Sequence, residues 1–375
     1  MSTILYIMPV NHPIGFRVRW AVPRPRDARR RANRRDAEEG TAAEIAAHPG
    51  AAGPPSGAPS APSAPYARSG ARRPRALRRL AAQAGWPEAG AVLELLKPVT
   101  WFPPMWAFAC GAVSSGQLSS VWVLVGGLLL AGPLVCAMSQ AANDWYDRDV
   151  DAVNEPHRPI PSGRIPGDWG FRIALLWTCA GLALGALLGP WGLGATIVAA
   201  ALAWAYSAPP FRLKANGWLG AAATGLAYEG LPWITGAALM AGAAPRAEVW
   251  AIAGLYALGA HGIMTLNDFK AIEGDRRFGI RSLPVQLGPD RAARVACVVM
   301  VLPQLAVIGL LADMGHGWHA AAVALALAVQ GAMMPRLLAD PAARAPGYNG
   351  TGVVPYVLGM MAAALALGAG GGAGA

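Results

Sequence analysis

Apolar residues fill most of this chain in long runs, and short polar segments separate the runs. Residues 98–143 contain no Asp, Glu, Lys or Arg, and residues 173–211 contain none either. Each run is long enough for two helices of roughly 20 residues that cross a bilayer. A soluble core of this size would interleave polar positions at the period of a helix or a strand. The pattern therefore predicts a polytopic, all-α membrane protein.

Glycine and proline clusters divide the apolar runs, near positions 190, 210, 244 and 316. These divisions predict about nine transmembrane helices joined by short loops. The predicted spans are 98–115, 121–142, 171–188, 191–207, 217–241, 247–267, 291–312, 317–335 and 352–370.

Residues 1–85 differ from the rest, because they are rich in Arg, Ala, Pro and Ser. Such a composition buries too little apolar surface to fold. We predict a disordered basic tail over residues 1–85 and a polytopic domain over residues 86–375. A start codon placed too early is the alternative, so whether the tail belongs to the native protein stays open. Its arginines are suited to anionic lipid, and no nucleic-acid partner is predicted.

The composition agrees with a membrane location. The chain has 375 residues, of which 54% are hydrophobic and 14% charged, whereas soluble domains carry about 25% charged residues. Its four cysteines lack the spacing of metal ligands. The loops after predicted spans 2, 4, 6 and 8 hold 14 Lys and Arg residues, and the other internal loops hold only Arg246. The basic side, with the amino terminus, is therefore predicted to be cytoplasmic.

Two acidic segments, 143–151 and 267–275, lie 124 positions apart and share one spacing. Each begins Asn-Asp, ends with Asp eight residues after the Asn, and directly follows an apolar run. On a helix, the polar residues of each segment fall within roughly 100° of arc. These residues are Asn143, Asp144, Asp147 and Asp151 in the first segment and Asn267, Asp268 and Asp275 in the second.

Carboxylates at the edge of an apolar protein are costly unless a cation neutralises them. Mg²⁺ is the simplest candidate, because one or two carboxylates plus phosphate oxygens hold it. Basic residues follow the acids, at Arg158 and Arg164, at Arg212 and Lys214, and at Arg281. Acids that hold a divalent ion beside Arg and Lys form a diphosphate clamp. The alternative, a solvated face at the membrane edge, better explains the two acids that point elsewhere, which are Asp149 and Glu273.

These motifs resemble those of the UbiA superfamily of intramembrane prenyltransferases. The first acidic segment resembles that superfamily's NDxxDxxxD motif, residues 158–164 are similar to RPxPSGR, and residues 206–214 resemble YSxPPxRLK. The second segment departs from the common form, because Ala271 stands four positions before Asp275, where an acid is usual. Asp268 or Glu273 must supply the other carboxylate.

Three further stretches, 95–106, 227–233 and 261–270, resemble the chlorophyll and bacteriochlorophyll synthases of that superfamily. The likeness covers about residues 90–370. It implies a helix bundle around a central cavity with cytoplasmic Asp-rich loops, in the bacterial inner (photosynthetic) membrane. It also implies Mg²⁺-dependent transfer of a geranylgeranyl or phytyl group from its diphosphate to the propionate of bacteriochlorophyllide or chlorophyllide.

The same resemblance implies roles for particular residues. Asp144, Asp147 and Asp151, with Asn143, would hold one Mg²⁺, and Asp268 and Asp275 a second. Substrate contacts would come from Asn143, Arg158, Arg164, Tyr206, Arg212, Lys214, Glu229, His261, Asn267, Lys270 and Arg281.

Glu229 and His261 each leave alternatives open. Glu229 lies near the middle of the fifth predicted span, where an unpaired carboxylate is costly. It would line the pigment cavity, pair with a base or stay protonated, or form a structural hydrogen bond. His261 would ligate the pigment's central Mg²⁺ or be a buried structural histidine.

Two readings compete with a (bacterio)chlorophyll synthase. In the first, a relative of the same superfamily would prenylate a quinone precursor or haem instead. The second is a non-enzymatic pigment carrier, although transporters usually place their charges near mid-bilayer. The sequence leaves open which pigment and which donor are used, and the oligomeric state.

Overall fold

The computed structural model describes residues 85–117 and 120–371, and most of these residues are helical. The predicted all-α class is therefore confirmed. The predicted basic tail lies outside the described residues, except for Gly85.

The α-helices are numbered here along the described chain. They are α1 (Ala89–Leu96), α2 (Phe102–Ser114), α3 (Val121–Leu129), α4 (Ala137–Asn154), α5 (Trp169–Leu187), α6 (Pro190–Ser207), α7 (Gly217–Gly225), α8 (Leu231–Ala241), α9 (Ala247–Asn267), α10 (Ile272–Arg277), α11 (Leu283–Leu287), α12 (Pro289–Asp313), α13 (Gly317–Ala339), α14 (Pro341–Thr351) and α15 (Val353–Gly371). Tighter 3₁₀ turns occupy Pro98–Thr100, Leu213–Ala215 and Asp268–Ala271, and wider π turns occupy Leu130–Cys136 and Leu226–Gly230.

Every predicted span falls on helical residues, but the count of nine spans and their orientation stay predictions. The helix of the first predicted span, α2, has 13 residues and a length of about 20 Å. That is shorter than the roughly 30 Å apolar core of a bilayer. Among the described residues, 6 helical stretches are long and apolar enough to cross a membrane: Val121–Val153, Trp169–Leu187, Ala247–Arg277, Pro289–Asp313, Gly317–Ala339 and Pro341–Gly370.

The two π turns contact each other inside the bundle. Cys136 Sγ in the first turn lies 3.3 Å from Tyr228 Oη in the second. Gln140, one helical turn beyond Cys136, donates from Nε2 to the same Tyr228 oxygen over 2.9 Å. A π turn adds a residue to the helical repeat and rotates the side chains that follow it. These turns therefore set the direction of Glu229, which is the next residue after Tyr228.

Glycine allows α2 and α8 to pack backbone against backbone. A Cβ atom at Gly236 would lie 2.2 Å from the carbonyl oxygen of Phe108. The neighbouring Trp233 is fully buried, and its indole N–H donates to Ser114 Oγ over 2.9 Å. Small residues that permit such close approach are typical of helix contacts inside membranes.

Candidate active site

The first acidic segment lies on the second half of α4. This helix runs on from α3 through the π turn, and it continues to Asn154, well beyond the predicted span end at 142. Asp144, Asp147 and Asp151 are three and four positions apart, so they lie on one face of the helix.

Two aspartates of this face pair with bases from other segments. Lys97, which follows α1, donates from Nζ to Asp144 Oδ1 over 2.6 Å. Arg158 donates from Nη1 to Asp151 Oδ2 over 2.8 Å and lies 3.5 Å from Asp144 Oδ1. Its other terminal nitrogen pairs with Glu155. The Lys97 and Arg158 side chains thus balance carboxylates that are almost fully buried.

Asp147 pairs with the loop between α6 and α7. Lys214 Nζ lies 2.6 Å from Asp147 Oδ2, and Arg212 Nη2 lies 3.6 Å from Asp147 Oδ1. Burial lowers the pKa of Lys214 below its ordinary value, while the Asp147 carboxylate acts in the opposite direction. The three aspartates of α4 therefore face bases that come from three separate segments.

Two of these bases have a left-handed backbone. Lys97 has a φ angle of 49° and Arg212 a φ angle of 39°. The left-handed region is uncommon for residues other than glycine and costs on the order of 1 kcal/mol or more. In both cases this conformation occurs where the chain turns a basic side chain towards an aspartate of α4.

The second acidic segment is interrupted, unlike the continuous helix that was predicted. α9 ends at Asn267, a 3₁₀ turn covers Asp268–Ala271, and α10 begins at Ile272. Asn267 Oδ1 accepts a hydrogen bond of 2.6 Å from Asn349 Nδ2 in α14. The change of helix type rotates Asp268 and Asp275 relative to each other, and both nevertheless line the same cavity.

The two acidic segments meet at a pair of adjoining cavities. The inner cavity, of about 140 Å³, is lined by Asn143 and Asp147 from α4 and by Asn267, Asp268 and Asp275 from the second segment. The wider outer cavity, of about 520 Å³, shares Asn143, Asp147 and Asp275 with it. The further polar lining is Tyr206, Lys214, Lys270 and Ser282 in the inner cavity, and Asp151, Glu155, Arg158, Lys270 and Glu273 in the outer one.

This arrangement bears on the carboxylate that joins Asp275. Asp268 and Asp275 both line the inner cavity, whereas Glu273 reaches only the outer one. Asp268 is therefore the better candidate at the inner cavity. The expectation that Glu273 points away from the site is corrected, because its position on α10 brings it to the rim of the outer cavity.

The oxygen atoms at the site suit a hard divalent cation. Asp144 Oδ2 and Asp147 Oδ1 are buried and accept no hydrogen bond from the described residues. Although each carboxylate already has a basic side chain nearby, these two oxygens lack hydrogen-bond donors, and a further cation would compensate for their burial. No three Asp, Glu, His or Cys side chains of the described residues converge closely enough to hold an ion by themselves. Because Mg²⁺ usually keeps water or phosphate oxygens among its ligands, these residues fit an ion that is bound together with a diphosphate.

Some predicted site residues lie elsewhere in the structure. Arg164 forms an exposed ion pair of 2.6 Å with Glu94, and Arg281 makes backbone contacts with the start of α7. His261 packs against Trp218, with ring centroids 5.6 Å apart. None of these three predicted residues lines either cavity. Glu229 faces a separate apolar pocket.

Lys97 and Asn349 are site residues that the sequence analysis did not find. Lys97 follows the last residue of α1 and precedes a proline. A single base at the end of a helix is a weak signal of a functional site. Its partner Asp144 is 47 positions away. Asn349 is 82 positions from Asn267 and lies in a segment without a matching motif. Only the tertiary fold brings these pairs together.

Comparisons with known proteins agree with this geometry. The family described as "UbiA prenyltransferase family" matches residues 101–348. The chain is 59% identical over 283 residues to "Bacteriochlorophyll synthase 33 kDa chain" of Cereibacter sphaeroides, covering 75% of this chain and 94% of that protein. It is 38% identical over 294 residues to "Chlorophyll synthase, chloroplastic" of Oryza sativa subsp. japonica, covering 73% of this chain and 76% of that protein.

A solved structure supports the fold. The UbiA homolog from Archaeoglobus fulgidus bound to GPP and Mg²⁺ matches with a TM-score of 0.53 and 21% identity. The match covers 70% of this chain and 99% of that one. At this level of identity the likeness concerns the arrangement of the helices.

Proposed function

The chain belongs to the UbiA prenyltransferase family, and from this premise we propose that it esterifies bacteriochlorophyllide with a C20 prenyl group. The donor is geranylgeranyl or phytyl diphosphate, and the acceptor is the propionate of the pigment. The identity of 59% to a protein named bacteriochlorophyll synthase, against 38% to one named chlorophyll synthase, favours the bacterial pigment over chlorophyllide.

The observation that carries the proposal is the convergence of both acidic segments and several bases on one pair of cavities. A diphosphate has several negative oxygens, and it needs cations on more than one side. Lys214 and Lys270 line the inner cavity, and Arg158 lines the outer one. Lys97 forms an ion pair with Asp144. These bases bind and orient the leaving group.

Magnesium is the metal that these acids fit. Asp144, Asp147 and Asp151, with Asn143, would hold one ion, and Asp268 and Asp275 would hold another. When bound, the ions supply positive charge that stabilises the diphosphate as it leaves.

The reaction breaks one bond and forms one bond, and it needs no strong base to activate the acceptor. The bond between C1 of the prenyl group and the diphosphate oxygen breaks, and its electron pair leaves with the diphosphate. A propionate oxygen then forms the new bond to C1, which gives the ester. A carboxylate is already ionised at neutral pH, so the site needs to orient this acceptor rather than deprotonate it.

A narrow apolar pocket of about 40 Å³ beside the inner cavity is suited to the first part of the prenyl chain. Tyr206 and Thr224 line both spaces, and the pocket is otherwise mainly walled by small apolar residues such as Ala199, Ala223 and Ala227. Such walls exclude water, which would otherwise compete with the propionate for the electron-poor C1 carbon.

The direct test is a product assay with the purified, detergent-solubilised protein. Geranylgeranyl and phytyl diphosphate are each incubated, with Mg²⁺, with bacteriochlorophyllide, chlorophyllide, haem and a quinone precursor. We expect the esterified bacteriochlorophyllide to form fastest, together with one diphosphate per ester. Prenylation of haem or of the quinone precursor alone would contradict the proposal, and pigment binding without diphosphate release would indicate a carrier.

The protein is an integral membrane protein, and we propose that it resides in the photosynthetic membrane with both acidic segments on the cytoplasmic side. The loop charges support this orientation. Cysteine variants at exposed Val153 and at Arg246 test it, because a membrane-impermeant thiol reagent should reach only the former from the cytoplasm.

A further inference from the structure

A second apolar pocket, distinct from the pocket assigned to the prenyl chain, contains one carboxyl group. It has a volume of about 210 Å³, and its walls include Phe102, Ile263, Val353 and Val357 around Glu229. Met264 lines both this pocket and the inner cavity. A molecule held in the pocket therefore lies next to the diphosphate site.

Glu229 has no partner within the described residues that would explain its burial. The residue is 6% exposed, and its Oε2 atom is buried without a hydrogen bond. The other polar side chain in the pocket belongs to Asn349, whose amide group already donates to Asn267 and to the carbonyl oxygen of Ile263. No Lys or Arg lines the pocket.

The charge state follows from these surroundings. A carboxylate without a cation is very costly in an apolar environment, so the uncharged acid is the form that fits the pocket. An uncharged acid has one O–H group to donate. Glu229 Oε2 donates to no described residue, and Asn349 Oδ1 in the same pocket wall is also buried without a hydrogen bond.

The π turn Leu226–Gly230 holds Glu229 in this position. Its preceding residue, Tyr228, is fixed by Gln140 and Cys136, so the acid has little freedom to turn away. An unpaired buried acid destabilises the fold. Groups of this kind are typical of ligand sites, where the missing partner arrives with the ligand.

We propose that Glu229 donates a hydrogen bond to a ring carbonyl oxygen of the macrocyclic acceptor and so turns the acceptor's propionate towards the inner cavity. This inference rests on the proposed function. The apolar walls contact one edge of the flat ring, because the pocket is too small to enclose the whole macrocycle. The hydrogen bond from Glu229 determines which edge of the macrocycle enters the pocket. The orientation of the ring then determines the direction of the propionate.

The test compares Glu229→Leu, which removes the donor, with Glu229→Gln, which retains an uncharged donor. Purified protein is titrated with bacteriochlorophyllide and with an analogue whose ring ketone is replaced by a methylene group, and ring fluorescence gives each Kd. We expect Glu229→Leu to raise the Kd for bacteriochlorophyllide about tenfold, which corresponds to about 1.4 kcal/mol, and the Kd for the analogue by less than about twofold. Glu229→Gln should stay within about threefold of the wild type, and the KM for the prenyl diphosphate should not change in either variant.

Thermal stability separates a binding role from a structural one. Replacement of an unpaired buried acid by an apolar residue should leave the Tm unchanged or raise it. The matched control is Gln330→Leu, because Gln330 is buried and fully engaged, accepting from Gln304 and donating to the Gly352 carbonyl oxygen. That variant should lower the Tm without changing the Kd for the pigment.

Three results would overturn the inference: wild-type affinity in Glu229→Leu, an equal loss for pigment and analogue, or a loss in Glu229→Gln as large as that in Glu229→Leu. The wild-type arm tests the proposed function separately. If the wild type esterifies no macrocycle, the proposed function fails and this inference with it. If the wild type esterifies the pigment and Glu229→Leu binds it normally, only the inference fails.

Discussion

Lys97 provides a sharp test of the acidic face on α4, because its loss breaks the buried charge pair with Asp144. Replacement by Met keeps most of the apolar stem and removes the ammonium group that lies 2.6 Å from Asp144 Oδ1. Among the described residues, Asp144 then keeps its ion pair with Arg158, at 3.5 Å from the same oxygen.

The expected cost follows from the burial of the two side chains. Removal of one partner from a buried pair typically costs about 3–5 kcal/mol. Here the Asp144 side chain is 2% exposed but that of Lys97 is 14% exposed, and Arg158 still balances part of the charge. We therefore expect a loss of about 1–2 kcal/mol in the free energy of unfolding, or a fall in Tm of roughly 3–6 °C.

Magnesium provides the second readout. Binding of a ligand to the folded state alone stabilises that state. Because Asp144 is then less well compensated, the Tm of Lys97→Met should rise more on addition of Mg²⁺ plus inorganic diphosphate than the Tm of the wild type. The Tm of the wild type and of Lys97→Met is measured in detergent with and without Mg²⁺ plus inorganic diphosphate.

The matched control is Arg172→Met, which breaks the Arg172–Asp168 pair of 2.9 Å, with side chains 58% and 57% exposed. Exposed pairs contribute about 0–1 kcal/mol, so the control should lose little Tm and show the wild-type response to Mg²⁺. If Lys97→Met behaves like Arg172→Met in both measurements, the electrostatic account of this face is wrong.

Three further predictions concern activity and packing. Asp144→Ala or Asp151→Ala should abolish prenyl transfer in membranes although the protein still inserts; retained activity in both would exclude the metal assignment. Lys214→Met should raise the KM for the prenyl diphosphate about tenfold in steady-state kinetics, and an unchanged KM would remove Lys214 from the clamp. Gly236→Ala should cost about 1–3 kcal/mol, because its Cβ would lie 2.2 Å from the Phe108 carbonyl oxygen; a Tm equal to that of the wild type would show that α2 and α8 separate easily.

The sequence predicted those features that depend on nearby residues. The apolar runs located the helices, and the spacing of Asp144, Asp147 and Asp151 placed them on one face because α4 is a regular helix. The second segment was less predictable. Its helix changes type at Asp268, and helical periodicity in the sequence gives no sign of a 3₁₀ turn.

Features that depend on distant residues were not predictable in this way. The pairing of Lys97 with Asp144 needs α1 to lie beside α4, and the pairing of Asn349 with Asn267 needs α14 to lie beside α9. The direction of Glu229 depends on the π turn Leu226–Gly230, which contacts a second π turn through Cys136, 92 positions from Tyr228. An apolar run in a sequence specifies that a helix is buried in lipid or protein, but not which polar atom faces which neighbour.

The two acidic segments therefore differ more in the structure than in their sequences. In the first, bases from other segments lie within 3.6 Å of the aspartates on the shared face. In the second, neither Asp268 nor Asp275 has an ion-pair partner among the described residues, although both line the inner cavity with Lys270. A cation at the second segment meets carboxylates that form no ion pair with the described residues, whereas a cation at the first shares its carboxylates with Lys and Arg side chains. The spacing of the acids alone does not show this difference, because it arises from bases that lie far away in the sequence.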